Sequence, residues 1–287
     1  MIETLPTIPV SAVIDSDTVL SGDDRQTLVE AKEALEHESL VDKLTEMIGM
    51  PIAGMIRALP EPAERILHDS IRVALEKALE VAVSTLDETD VGARPRLLSH
   101  KLLTGLSGAA GGAFGFASVA AELPVSTTLI LRSIADIARS EGEDLSDVRT
   151  RLACMEVFAL GPGHGDRSDG GADADRDEIG YFAVRAGLAK QVAEASKYLA
   201  TGSARSLTAP PMVRLMETLG SRFGVVVTDK VAAQAVPILG AVGGALINTY
   251  FIGHYQDLAR AHFAIRRLER RYGESSVREH YRAIEPS

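Results

Sequence analysis

Tryptophan is absent from this 287-residue chain, cysteine occurs once, and aromatic residues make up only 5% of it. The single thiol, Cys154, excludes an intramolecular disulfide and a thiolate metal cluster, and a reducing compartment is expected. Because it is flanked by Ala153 and Met155 on an apolar helix pattern, it reads as an inert core residue. Few aromatics disfavour a sandwich or barrel and remove the usual anchors at a membrane interface. No Lys or Arg precedes Arg25, and no continuous apolar core is found there, so both parts of a secretory signal are missing. A cytoplasmic location is expected. Catalytic words are missing as well. There is no H-E-x-x-H, G-x-S-x-G or G-x-x-x-x-G-K-[ST], and the spacing of Gly108, Gly111, Gly112 and Gly115 does not fit G-x-G-x-x-G. Asp173, Asp175 and Asp177 begin like a calcium loop, but Glu178 replaces its glycine and Val184 its final glutamate. No metal and no cofactor is expected.

What the chain does have is unevenly distributed charge on an acidic background. The net charge is -10, which argues against nucleic acid as a partner. Residues 1–100 hold 19 Asp and Glu against 9 Lys and Arg, whereas residues 258–287 hold 4 against 7. Arg260, Arg266, Arg267, Arg270 and Arg271 thus form a basic patch near the C-terminal end. It is expected on the outer side of a helix, either resting on anionic lipid or an acidic partner, or simply solvated.

Periodicity reads as helix nearly throughout. Residues 1–22 have none and are expected to be a flexible arm, with 23–287 as one helical domain. Leu28, Ala31, Leu35, Val41, Leu44 and Ile48 mark one helix face between Asp24 and Ile48, capped by Ser21 or Asp23. Pro62 opens a second helix with apolar residues spaced by three and four as far as Leu86. Between Lys101 and Glu122 no residue is charged, and Gly, Ala, Ser and Thr fill 14 of the 20 positions. Glu122 and Pro124 are expected to break that run before a helix over 125–139. Residues 161–178, rich in Gly and Asp, read as a mobile loop. Helices are expected over 181–199 and 210–223; Val225 to Val227 could form only a short strand, and no strand pattern able to make a sheet is found. A second uncharged run, Val231 to Gly253, should bend at Pro237. Phe251, Leu258, Ile265 and Tyr272 recur every seven residues up to Gly273, and a last helix is expected over 276–283. The predicted fold class is all-α: one multi-helix bundle around two central Gly/Ala-rich apolar helices.

Four segments carry a family resemblance: GAAGGAFGFASVAAELPVSTTLILRSIADIARSEGEDL, RLACMEVFALG, YFAVRAGLAKQVAEASKYL and AVPILGAVGGALINTYFIGHYQDLARAHFAIRRLERRYG. They span roughly residues 105–273, and together they resemble the bacterial EcsC protein family. The last is the most specific, since its polar residues sit at fixed places in an otherwise apolar helix. The resemblance implies a fold and a context, because the family is named after a component encoded beside a bacterial ABC transporter. It implies no established enzymatic activity.

Three sets of residues remain as candidates for function. Gly108 and Gly112, Gly111 and Gly115, and Gly240 and Gly244 are each four apart, the spacing that lets helices approach closely. The two uncharged runs are long enough to reach across a hydrocarbon core, yet their small residues favour a buried soluble core over stable insertion. Polar residues inside apolar runs form the third set: Glu122, Arg132, Asp136, Asn248, His254 and Asp257. Arg132 and Asp136 are spaced for an ion pair, and Glu122, His254 and Asp257 could supply an acid/base or divalent-metal cluster. The leading expectation is a non-enzymatic accessory or binding protein, peripheral at the inner membrane or attached to a membrane-protein complex. One alternative is a hydrolase or metal-dependent enzyme using that Glu/His/Asp cluster, and another is a lipid-binding helical protein.

Overall fold

Ser21 opens the first helix by accepting the Asp24 N–H on its hydroxyl (3.2 Å) while donating to the Asp24 carboxylate (2.9 Å). This is the capping arrangement the sequence suggested there. The computed structural model describes residues 20–36, 40–49, 61–85, 116–161, 174–201, 208–234 and 240–284. Among them lie nine α-helices, one 3-10 turn and no strand, so the all-α expectation holds. The helices are α1 (Gly22–Glu36), α2 (Leu40–Ile48), α3 (Glu61–Thr85), α4 (Phe116–Ser140), α5 (Val148–Glu156), α6 (Ala174–Ala200), α7 (Pro210–Gln234), α8 (Gly240–Tyr272) and α9 (Glu274–Arg282). The 3-10 turn, Val157–Ala159, follows α5 directly.

The longest helix, α8, runs for 33 residues, about 50 Å. Its seven-residue repeat is real: Phe251, Leu258 and Ile265 are fully buried, and Tyr272 packs against the same core. The helices α1, α2, α4, α7 and α9 all pack on it. Gly273 ends it in a left-handed conformation (φ 87°) that a side chain would strain, and α9 starts at the next residue.

Contacts along α8 give the directions of its neighbours. Ser133 pairs with Gln256 and Glu143 with Arg266, so α4 runs parallel to α8. Phe223 packs on Tyr255 and Lys230 on Phe251, so α7 runs antiparallel. Gly220 lies against Leu75 and Gly224 against Ile71, which turns α3 parallel to α8 again. At the centre the rings of Phe158, Phe223, Phe251 and Tyr255 interlock, with the nearest centroids 5.1–5.2 Å apart.

Several boundaries differ from expectation. The helix expected over 24–48 is described in two parts, α1 and α2, with residues 37–39 outside the described residues. Pro124 does not interrupt the chain but sits inside α4. It removes one N–H, yet the carbonyl left without that donor belongs to Ala120, which is exposed to water. The Thr128 hydroxyl donates to the Pro124 carbonyl at 2.8 Å. Val225 to Val227 form no strand. They continue α7, since Phe223 and Val227, four apart, are both buried on one helix face. The loop expected over 161–178 ends early, with α6 already begun at Ala174, and residues 162–173 lie outside the described residues. Of the arm expected over 1–22, residues 1–19 lie outside the description, Leu20 is buried, and Gly22 is already helical. The last helix begins two residues earlier than expected.

The two uncharged runs do not map onto two whole helices. Only residues 116–121 of the first are described, as the start of α4. The second is divided between the end of α7 and the start of α8, with Pro237 among the residues outside the description.

Candidate functional site

Glu122, His254 and Asp257 are each drawn into a different environment. Glu122 on α4 accepts a hydrogen bond from Lys230 Nζ of α7 at 2.7 Å, and these side chains are only 5% and 1% exposed. Lys230 Nζ also stands 4.6 Å from the centre of the Phe251 ring on α8, so one buried ammonium joins three helices. His254 lies against Tyr255 and beside Gly161. Burial, with a smaller repulsion from Lys43, pushes its imidazole down to about 4 and keeps the ring neutral at physiological pH. Asp257 is partly exposed and accepts a hydrogen bond from Arg260. Among the described residues no group of three or more His, Cys, Asp or Glu side chains is placed to hold a metal ion. His254→Ala should therefore lower thermal stability by on the order of 1–3 kcal/mol for lost buried contacts, with no loss of bound metal in elemental analysis.

The other polar candidates divide. Asn248 is fully buried on α8. Arg132, expected in a buried network, is exposed, because it lies on the outer face of α4 between Leu131 and Ser133, which face inward. Asp136 accepts from Arg139 at 2.9 Å and is only half-buried. Gly240 and Gly244 stand one turn apart at the start of α8, whereas Gly108, Gly111, Gly112 and Gly115 lie outside the described residues.

The basic patch lies at the surface, with Arg267, Arg270 and Arg271 side chains 36–61% exposed, but it is paired with acids. Arg266 holds Glu143 in a two-bonded fork (2.9 and 2.8 Å), and Arg270 bonds the same carboxylate and the Glu141 carbonyl. Arg267 bridges Glu141 at 2.8 Å and Asp24 at 3.4 Å, and Arg271 reaches Asp24 at 2.9 Å. Three acids on α1 and the α4–α5 connection thus face four arginines of α8, and Arg260 is turned to Asp257. The arrangement is a surface ion lattice on the buried acids Asp24 and Glu143, and it fastens α1 and α4 to α8. Burial alone would push the Glu143 carboxyl up, but Arg266 and Arg270 outweigh it and leave it below the usual range. The Tyr272 hydroxyl leads the groups that hold Asp24 low, followed by Ser21, Arg271 and Arg267.

Two buried polar clusters escaped the sequence reading. Beside Lys230, Asp229 is pushed up to about 7 by burial, and the neighbouring Tyr255 hydroxyl is raised well above its ordinary range. Between α5, α6 and α8, burial pushes Glu156 up to about 7, and it faces His262, which meets the Tyr181 hydroxyl at 3.0 Å. Arg185 of α6 grips Glu269 of α8 with two bonds, 2.7 and 2.6 Å. The signal was present in the words CMEVF and AHFA, where a titratable residue interrupts a run of core residues. Cys154, close by, has its thiol pushed up to about 12 by burial and offers no nucleophile.

At one end of the bundle α3, α4 and α8 begin and α7 ends. Ile66, Val125, Leu246 and Tyr250, near that end, are 41–51% exposed, and Val73, Val213 and Val225 elsewhere are 37–43% exposed. No helix among the described residues is long and apolar enough to cross a membrane.

No curated protein and no solved structure matches the chain. The family model described as EcsC protein family matches residues 23–268, from the first turn of α1 to the ion lattice on α8, and the chain belongs to that family.

Proposed function

We propose that this EcsC-family protein is a non-enzymatic accessory protein that docks peripherally on the cytoplasmic face of a membrane through the apolar end of its bundle. The observation that carries the reading is the exposure of Val125, Leu246 and Tyr250 early in α4 and α8, the two parallel helices whose first residues belong to the uncharged runs. Exposed apolar side chains on such helices suit a lipid surface, where they leave water without needing a matching protein groove. The arginine patch is a poor second surface, since its charge is largely met by Asp24, Glu141 and Glu143. The enzymatic alternative is disfavoured by the sealing of Glu122 against Lys230 and by the enclosure of His254.

Vesicle flotation tests this. The protein should float with phosphatidylcholine–phosphatidylglycerol vesicles and remain bound in high salt, because apolar contact is not screened as surface charge is. Leu246→Ser together with Tyr250→Ser should weaken recovery by on the order of tenfold at unchanged melting temperature, both positions being half exposed already. Failure to float with any composition, or equal recovery of parent and variant, would sink the reading.

A further inference from the structure

A row of three side chains crosses the bundle far from its apolar end. Tyr181 of α6 meets His262 Nδ1 of α8 at 3.0 Å, and the other ring nitrogen, Nε2, lies 3.9 Å from a Glu156 carboxylate oxygen of α5. His262 is wholly buried and Glu156 nearly so. At 3.9 Å no hydrogen bond joins Nε2 to Glu156, the imidazole is neutral so no ion pair does, and Nε2 has no hydrogen-bond partner among the described residues. Every other charge near Glu156 is already engaged. Arg185 of α6 is held by Glu269, and Arg266 of α8 by Glu143. Cys154 on its own helix is a neutral thiol, and Arg139 of α4 is turned to Asp136. The charged residues described on α3, which also packs on α5, all point to solvent.

We propose that the Tyr181–His262–Glu156 row is a proton-controlled clasp: with Glu156 neutral the row stays packed and the Tyr181–His262 bond holds α6 to α8, and loss of the Glu156 proton loosens it. The physical coupling runs through the arginines. A Glu156 carboxylate must find a cation, and the two within its reach already bind Glu269 and Glu143. Drawing Arg185 toward Glu156 weakens the fork to Glu269 that ties α6 to α8. His262 cannot easily take the proton instead, because burial first, then Arg185 and Arg266, disfavour its imidazolium. The released proton therefore leaves to solvent, which requires the row to open. This device stands independently of how the protein meets a membrane.

The sign and size follow from linkage. Glu156 sits near 7 in the closed state and near its ordinary 4.5 once exposed, so closing is favoured at low pH and the advantage is lost as pH rises through 7. Between pH 6 and pH 8 the opening equilibrium should grow about tenfold. Amide hydrogen exchange on the full chain, corrected for intrinsic rates, should show protection over Tyr181–Leu188 falling by about that factor, while α3 amides change much less. Glu156→Gln, which cannot ionise, should abolish the change. A carbon-13 NMR titration of the Glu156 carboxyl in the parent needs no variant and should give a midpoint near 7. A midpoint in the ordinary carboxylate range, or the same loss of protection in Glu156→Gln, would overturn the proposal.

Discussion

Lys230→Met should cost about 3–5 kcal/mol of folding stability, the penalty of leaving Glu122 buried without its cation. In a chain of this size that is a fall in melting temperature on the order of 10 °C. Joining Glu122→Leu to Lys230→Met should restore stability to within about 1 kcal/mol of the parent, since a well-packed apolar pair commonly replaces a buried ion pair without loss. Thermal melts of both variants decide it. A silent single substitution, or a double as weak as the single, would show that the loss does not come from a buried, unpaired Glu122.

The ion lattice yields the second large effect. Glu143→Ala removes the carboxylate shared by Arg266 and Arg270 and should destabilise the protein by about 3 kcal/mol, because the half-buried Arg266 is left unpaired. Glu143 and Asp24 both have folded-state pKa values held below their ordinary ones. Their contribution is therefore complete above the ordinary carboxylate range and disappears as pH falls through their lowered values. The parent should lose stability steeply below about pH 4.5 as these acids take up protons, and Glu143→Ala should lose less over the same interval. Denaturant melts across pH 3–7 measure the two slopes. Identical acid limbs would mean that the lattice does not couple to folding.

The same lattice shows which parts of this molecule can be read from sequence. Repeats such as Phe251, Leu258 and Ile265 are legible because a helix face is a local property, set by spacing within one element. The arginines were legible as an outward-facing cluster, but their pairing was not, because their partners lie 123–247 residues away and no local pattern reports such distances. Val225 to Val227 show tertiary packing overriding a β-branched preference, with Val227 buried as part of a helix face. Glu122 is legible as a polar residue inside an apolar run, but the spacing points to the histidine and acid of α8 and not to its partner in the fold. It is Lys230, whose burial is hidden by its place beside Asp229, where two charges in a row suggest a helix exterior. Glu156 and His262 were missed for the opposite reason, each being a single letter in a run of apolar ones.

The attachment of α1 to the end of the chain bears on how the protein is made. Asp24 binds Arg271 and Tyr272, Lys32 donates to the carbonyls of Tyr281 and Ile284, and Glu36 accepts from the Tyr281 hydroxyl, all across more than 240 residues. At about 5–20 residues per second a ribosome needs some tens of seconds, at the slower rates, to supply those partners. For that time the buried face of α1, Leu28, Ala31 and Leu35, lacks α8, the helix it packs on most extensively. Although made long before α8, α1 is thus among the last helices to be locked in place. Nascent chains arrested before Arg271 should leave α1 open to protease and to chaperone capture, and extension past Ile284 should protect it.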